Sequence, residues 1–298
     1  MTGAAKTFTV GEATVTRVQE LALGNATPAG LFPDWEPDIF ADHQDWLSPG
    51  AMDPARERLL LSVHTWVVKT QGLTILIDTG VGNGKIRPFT PGFDRLDSPF
   101  LDRLRAAGAA PETVDYVLLT HLHVDHAGWN TVLRDGRWIP TFPKARYVFS
   151  RKEYAYFTDP ANHTERNKTS FLVQQDSVRP VIDAGLADMI AVDGREIADG
   201  LTILPSPGHT VDHATIVLSS RGHRALFTGD ALHHPIQVHR PDWISIFDAF
   251  PDQTRASRLR TLNDAADTGA TVFCAHFPET SAGRVTREGG RFRWQFDE

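Results

Sequence analysis

Cysteine is almost absent from this chain. One residue of that type in 298, Cys274, rules out an intramolecular disulfide framework. Its place in the apolar run 271–274 marks it as a core residue rather than a nucleophile. Long apolar runs are also missing: no segment approaches the length of a membrane span, and the opening Met-Thr-Gly-Ala-Ala-Lys-Thr-Phe-Thr-Val has no leader-like apolar stretch. The expectation is a cytoplasmic protein without a membrane partner. Blocks of positive charge are lacking too. Lys and Arg number 30 against 37 Asp and Glu, for a net charge of −7, and nothing clusters to neutralise phosphates. That argues against a nucleic-acid partner and a polyanionic substrate, and leaves a small molecule. What is present is an ordinary hydrophobic content of 41%, enough at this length for a sizeable core.

Local patterns place the elements. Alternation over 8–21 about Gly11-Glu12 predicts an opening hairpin, and 59–68 with 73–77 about Thr-Gln-Gly predicts a second. Between them, 24–54 is rich in Pro, Asp and large apolar residues (Leu31, Phe32, Trp35, Phe40, Trp46) without a period. Such a long irregular stretch reads as a lid or an interface arm, and an interface would imply a homodimer. Helices are expected over 93–108, 151–157, 169–184 and 253–266. Strands are expected over 114–119, 146–149, 189–192, 201–204, 214–218, 225–227, 271–274 and in a closing hairpin of 283–286 with 291–294. The aromatics Tyr154, Tyr156, Phe157 and Phe171 are assigned to core packing ahead of a substrate pocket. No linker interrupts the pattern, so 1–298 is read as a single domain.

One stretch concentrates chemistry: Thr120-His-Leu-His-Val-Asp-His-Ala-Gly-Trp-Asn130. In extended backbone alternate side chains share a face, so His121 and His123 can meet one metal ion while Asp125 and His126, past a turn, reach a second. Three further candidates each close an apolar run: His209 in Ser-Pro-Gly-His-Thr, Asp230 in Phe-Thr-Gly-Asp, and His276 in Phe-Cys-Ala-His-Phe. Ligands beyond the carboxyl ends of strands are where open α/β sheets place their sites. Asp78 of Asp78-Thr-Gly also follows a strand.

This order, His-x-His-x-Asp-His followed by His, Asp and His, resembles the metallo-β-lactamase superfamily from about Thr65 to the C-terminus. The resemblance implies an α+β fold, the αββα sandwich of two packed mixed sheets flanked by helices. It also implies two divalent metal ions. His121, His123 and His209 would hold one, Asp125, His126 and His276 the other, and Asp230 would bridge them, with Asp78 bracing the histidine loop. Imidazole and carboxylate without thiolate suit zinc, and also cobalt, manganese or iron. Asp230 argues against the β-lactamases proper. No flavodoxin domain, basic nuclease surface or C-terminal helical domain is evident, which sets aside three other branches. The remaining resemblance is to acyl homoserine lactonases and methyl parathion hydrolase-like enzymes.

The expected function is a metal-dependent hydrolase in which a metal-bridging hydroxide opens a lactone, with quorum quenching as a role, or cleaves an aryl ester. A phosphotriesterase is the alternative, and an iron-dependent oxidoreductase on the same ligands is the alternative of another class. Asp125 and His233 are the expected catalytic residues. His233 follows Asp230 by three and stands where the lactonases carry a carbonyl-binding tyrosine, although its neighbour His234 could face the site instead. Two departures flank ligands: Trp129 replaces the second Gly of Asp-His-x-Gly-Gly, and Asp212 replaces the Gly of Gly-His-Thr-x-Gly-His.

Overall fold

The computed structural model describes residues 6–39, 43, 47–53, 55 and 57–297. Its contacts fall into two compact units. The first comprises the described residues of Met1–Glu20 and His64–Val192; the second comprises those of Leu21–Val63 and Asp193–Glu298.

β1 (Thr7–Val10) and β2 (Ala13–Ala26) form the opening hairpin, and β3 (Leu59–Thr70) with β4 (Leu73–Ile77) the next. Parallel strands β5 (Tyr116–Leu118), β8 (Arg146–Ser150) and β9 (Ala187–Ile190) extend this sheet, whose order is β1-β2-β3-β4-β5-β8-β9. Between β5 and β8 lies a separate hairpin, β6 (Thr131–Arg134) with β7 (Arg137–Pro140). Its Asp135-Gly136 turn is a standard hairpin signal, although no strand is expected there from the wider pattern. The core of the first unit gathers Phe100, Leu104, Val117, Leu119, Trp129, Phe142, Tyr147, Phe149 and Phe157. Phe157 is thus core, as expected, with Tyr154 and Tyr156 packed against it.

The second sheet runs in the order β10-β11-β12-β13-β14-β15-β16. These are Glu196–Ala198, Leu201–Pro205, Ala214–Ser220, His223–Phe227, Thr271–Phe273, Ala282–Glu288 and Arg291–Phe296. Cys274 is buried in its cluster, and burial pushes the thiol well above its usual range. It is a core residue. No helix among the described residues is long and apolar enough to cross a membrane.

The helices follow their end signals with two exceptions. Ser150 caps Arg151–Thr158, accepting hydrogen bonds from the backbone of Lys152 and Glu153. Pro251–Thr268 opens on Pro and stops at the left-handed Gly269. The helix expected over 93–108 is confined to Phe100–Ala106, because 95–98 bonds to another loop: the Arg95 amide donates to Lys85 O and the Ser98 amide to Asn83 Oδ1. The helix expected over 169–184 is Lys168–Val173 and Arg179–Asp183 with a wider π turn, Gln174–Val178, between them.

Of the arm at 24–54, the described apolar residues lie in a cluster of the second unit. Leu31, Phe32, Ile39, Leu47, Ala51 and Met52 are buried with Ile236 and Trp243, and Trp35 packs against them. Phe40 and Trp46 lie outside the described residues.

One glycine is dictated by close approach. At Gly208, with φ +137°, a Cβ would stand 2.1 Å from the Thr254 amide nitrogen. Gly208→Ala is expected to cost about 3 kcal/mol or more through overpacking of backbone on backbone, and a chemical denaturation series would read the loss.

Candidate metal centre

Each candidate ligand lies beyond the end of a strand, as the sequence suggests. The loop carrying His121, His123, Asp125 and His126 follows β5, and Asp78 follows β4; in the second unit His209 follows β11, Asp230 follows β13 and His276 follows β14. Local geometry then fixes the rings.

In the first unit the His121 ring lies 4.6 Å from that of His123 and 4.0 Å from that of His126. Three imidazoles packed this closely cannot all be protonated without strong repulsion. Asp78 organises them. It occupies the left-handed region, φ 56°, which Asp tolerates better than most residues. Its Oδ1 accepts the Thr120 amide at 2.8 Å, and its Oδ2 accepts the Thr120 hydroxyl and His126 Nδ1–H, both at 2.8 Å. With the Thr120 hydroxyl proton given to Asp78, His121 Nδ1–H donates to Thr120 Oγ1 at 3.1 Å. Both rings therefore carry their lone pair on Nε2. His126 Nε2 stands 3.8 Å from Asp125 Oδ1. His123 and Asp125 are only half-buried, and Phe157 packs 5.6 Å from the His123 ring.

The glycine after this loop is as constrained as Gly208. A Cβ on Gly128 would meet Val81 O at 1.8 Å, since the Gly128 and Trp129 amides donate to Gly80 O and Thr79 O. Trp129, the departure from the family pattern, turns into the core. It stacks on Phe100 at 5.3 Å and donates its indole N–H to Glu20 Oε1 at 2.7 Å. Glu20 also accepts the Val81 amide, so this tryptophan ties the end of the histidine loop to β2.

In the second unit three imidazoles converge on one buried carboxylate. Asp230 has His276 Nε2 3.1 Å from Oδ1, and His209 Nε2 and His233 Nε2 at 3.2 and 3.4 Å from Oδ2. The distal nitrogens of the two expected ligands are engaged: His209 Nδ1 with Asp248 Oδ1 at 3.1 Å, and His276 Nδ1 with Ser62 O at 2.8 Å. His213 holds the backbone of Asp230, whose amide donates to His213 Nε2 at 2.9 Å. Its Nδ1–H faces Ser206 Oγ at 2.9 Å.

His233 and His234 part company. His233 is buried, with its ring 5.0 Å from His209 and stacked 6.0 Å from His276. Burial holds it below the usual imidazole range against the pull of Asp230. His234 donates from Nε2 to Ala51 O at 2.8 Å and lies against Phe32, and burial lowers its pKa to about 4. His233 is therefore the one that faces the ligands.

Asp248 and Arg258 carry no sequence signature and are part of this arrangement. Burial would raise the Asp248 pKa, but the hydrogen bond from His209 and the positive charge around it, that of Arg258 included, outweigh it and hold the carboxylate well below its usual range. Arg258 is fully buried. It reaches Asp248 Oδ2 at 3.4 Å and donates to Ala231 O at 2.8 Å, one residue beyond Asp230. His209, His233 and Asp248 also form a group whose ligand atoms lie within 4.8 Å of one another.

The donor set fits divalent metal ions. It offers imidazoles and carboxylates without thiolate, as zinc and neighbouring metals prefer. A buried carboxylate is costly unless a cation offsets it. The partners on Nδ1 are of the kind that orient metal-bound histidines. Asp78→Asn is expected to weaken zinc binding ten- to a hundredfold with little change in far-UV circular dichroism, measured by competition against a chromophoric chelator.

A match to the Metallo-beta-lactamase superfamily spans residues 58–276. The N-acyl homoserine lactonase AttM of Azorhizobium caulinodans is 30% identical over 196 residues, 62% of this chain and 66% of that protein, just under two thirds of its length. AttM of Rhizobium johnstonii is 29% identical over 223 residues, 72% of this chain and 78% of that protein. Among solved structures, the hydrolase AbOPH of the β-lactamase superfamily aligns with a TM-score of 0.83 at 23% identity, covering 100% of this chain and 99% of that one. AidC, a dizinc quorum-quenching lactonase in complex with a product, aligns at 0.80 and 22%, covering 99% and 98%. At these identities the structural likeness speaks for a shared fold.

Proposed function

This chain belongs to the metallo-β-lactamase superfamily, as a hydrolase of that group, and we propose that it opens a lactone ring at a pair of divalent metal ions held by His121, His123, Asp125, His126, His209, Asp230 and His276. The supporting observation is the convergence of three imidazole Nε2 atoms on the Asp230 carboxylate, with Nδ1 of His209 and His276 engaged. The lactonase relatives point to the ester bond of a lactone as the one cleaved. Zinc is the metal we assign.

When bound, the ions would polarise the carbonyl and lower the pKa of a water toward neutrality. The chain's own groups supply the rest. Asp230 would be the ligand that serves both ions. His233, whose Nε2 lies 3.4 Å from Asp230 Oδ2, would donate to the lactone carbonyl oxygen as negative charge builds there. Asp125 would carry the proton from the attacking water to the departing ring oxygen. Water adds across the acyl–oxygen bond, which leaves a hydroxy acid. Aryl esters present the same carbonyl and are a second substrate class of this reading.

The single-domain organisation and a role for 24–54 as a lid or interface arm belong to the same proposal. The arm packs beside the loop of His233 and His234, so it would act on the site by fixing that loop.

Asp230→Ala is expected to lose one or both ions, by elemental analysis, and most lactone turnover. Two tightly bound ions with near-normal turnover would refute the bridge. His233→Leu is expected to keep both ions and lose on the order of 10² to 10³ in lactonase kcat, the cost of one oxyanion donor, while hydrolysis of paraoxon is spared. Equal loss of both activities, or loss of metal, would make His233 structural.

A further inference from the structure

Two charged side chains of the first unit, Lys85 and Arg87, are fully buried and stand apart from the metal centre. Both meet Asp176. Arg87 pairs with it through two parallel bonds, Nη1 to Oδ2 at 2.7 Å and Nη2 to Oδ1 at 2.8 Å, while Lys85 Nζ stands 3.6 Å from Oδ1. Lys85 also donates to Thr131 Oγ1 at 2.8 Å and lies 3.8 Å from the centre of the Trp138 ring, and Thr131 Oγ1 donates to the Asp176 carbonyl. Burial outweighs the pull of Asp176 and brings the Lys85 pKa down to about 7. A parallel Arg–carboxylate pair fixes geometry as well as charge. Here it fixes the π turn Gln174–Val178, in which the Arg179 amide donates to Gln174 O.

Side chains two positions apart on a helical turn point to nearly opposite sides, so while Asp176 faces Arg87, Gln174 faces the histidine loop. Its Nε2 donates to Leu122 O at 3.3 Å and to Ser170 O at 3.1 Å. Both partners are carbonyls, so only the amide's NH2 end can face them. Gln174 is 2% exposed, and its Oε1 is buried with no hydrogen-bond partner among the described residues. A buried amide left half-satisfied is less stable than an apolar side chain of the same shape, so stability alone does not account for a glutamine here.

Leu122 stands between His121 and His123 with its side chain in the core. Its carbonyl lies in the plane of the peptide that leads into His123. The next carbonyl, His123 O, accepts the amides of His126 and Ala127, both at 3.3 Å. The backbone about His123 is thus held on both sides, by Gln174 before it and by the turn of its own loop after it.

We infer that Gln174 is a positioning residue of the histidine loop: from a π turn locked to Arg87 and Lys85 through Asp176, it holds the Leu122 carbonyl and so sets the direction of His123 relative to His121. The inference rests on the reading of these two histidines as ligands of one metal ion.

Metal binding tests it without turnover. Three readouts are compared: zinc affinity by competition against a chromophoric chelator, the visible absorption of the cobalt-loaded protein, and the urea midpoint of the metal-free protein. Gln174→Met keeps the length and removes the donors; it should weaken zinc about tenfold and alter the cobalt spectrum, with the urea midpoint nearly unchanged. Thr131→Val loosens the π turn from the Asp176 side and should move the same two metal readouts in the same direction by less. Val181→Ala, a core truncation in the helix after the turn, should do the reverse, lowering the urea midpoint and leaving affinity and spectrum as in the wild type. Wild-type zinc affinity and cobalt spectrum in Gln174→Met, or equal changes in Val181→Ala, would overturn the positioning role while leaving the metal centre in place. A wild type that binds no zinc would refute the ligand set and the inference with it. A wild type that binds zinc, differs from Gln174→Met as expected and opens no lactone would sustain the inference and refute the lactonase reading.

Discussion

A buried imidazole can serve a metal ion well only when its other nitrogen is committed elsewhere, and the rest of this structure depends on meeting that condition several times over. His126 meets it through Asp78, His121 through Thr120, His209 through Asp248 and His276 through the Ser62 carbonyl. Each partner sets the tautomer and the ring plane together. The backbone features that look costly in isolation follow from this. Asp78 sits in the left-handed region because its two oxygens must reach the Thr120 amide, the Thr120 hydroxyl and a histidine. Gly128 and Gly208 bear no side chain because the loops beside the ligands lie directly on other backbone.

The second consequence concerns charge. Asp230 and Asp248 are both buried, and Arg258 forms a buried ion pair with Asp248. It neutralises Asp248 and anchors the carbonyl beyond Asp230 with the same guanidinium, a task that the planar fork of Arg suits better than the point charge of Lys. Asp230 has three imidazole nitrogens within 3.4 Å of its carboxylate, the arrangement that a bound cation would complete.

Much of this was legible in the sequence because ligands at strand ends travel with short apolar runs. The sextet His121 to His126, the lone His209, Asp230 and His276, and the bracing Asp78 all sit where that pattern places them. What was not legible acts across loops. Asp248 stands 18 positions after Asp230 with no neighbouring signature, and its role follows only from the fold that returns it to His209. Arg258 reads as a polar residue of a surface helix until its burial is seen. The helix at 100–106 starts late because a loop captures the residues before it, a long-range effect that periodicity cannot report. Trp129, conspicuous as a departure beside the ligands, belongs to the core and to Glu20.

The central claim is that the chain's buried histidines and carboxylates form a two-metal hydrolytic centre. Its most direct test is a titration of chelator-stripped protein with zinc, following bound metal by elemental analysis and lactone opening with a pH indicator in the same samples. The account predicts that activity is absent without metal and climbs to a plateau at two equivalents per chain. A plateau at one equivalent, or full activity in the stripped protein, would contradict it.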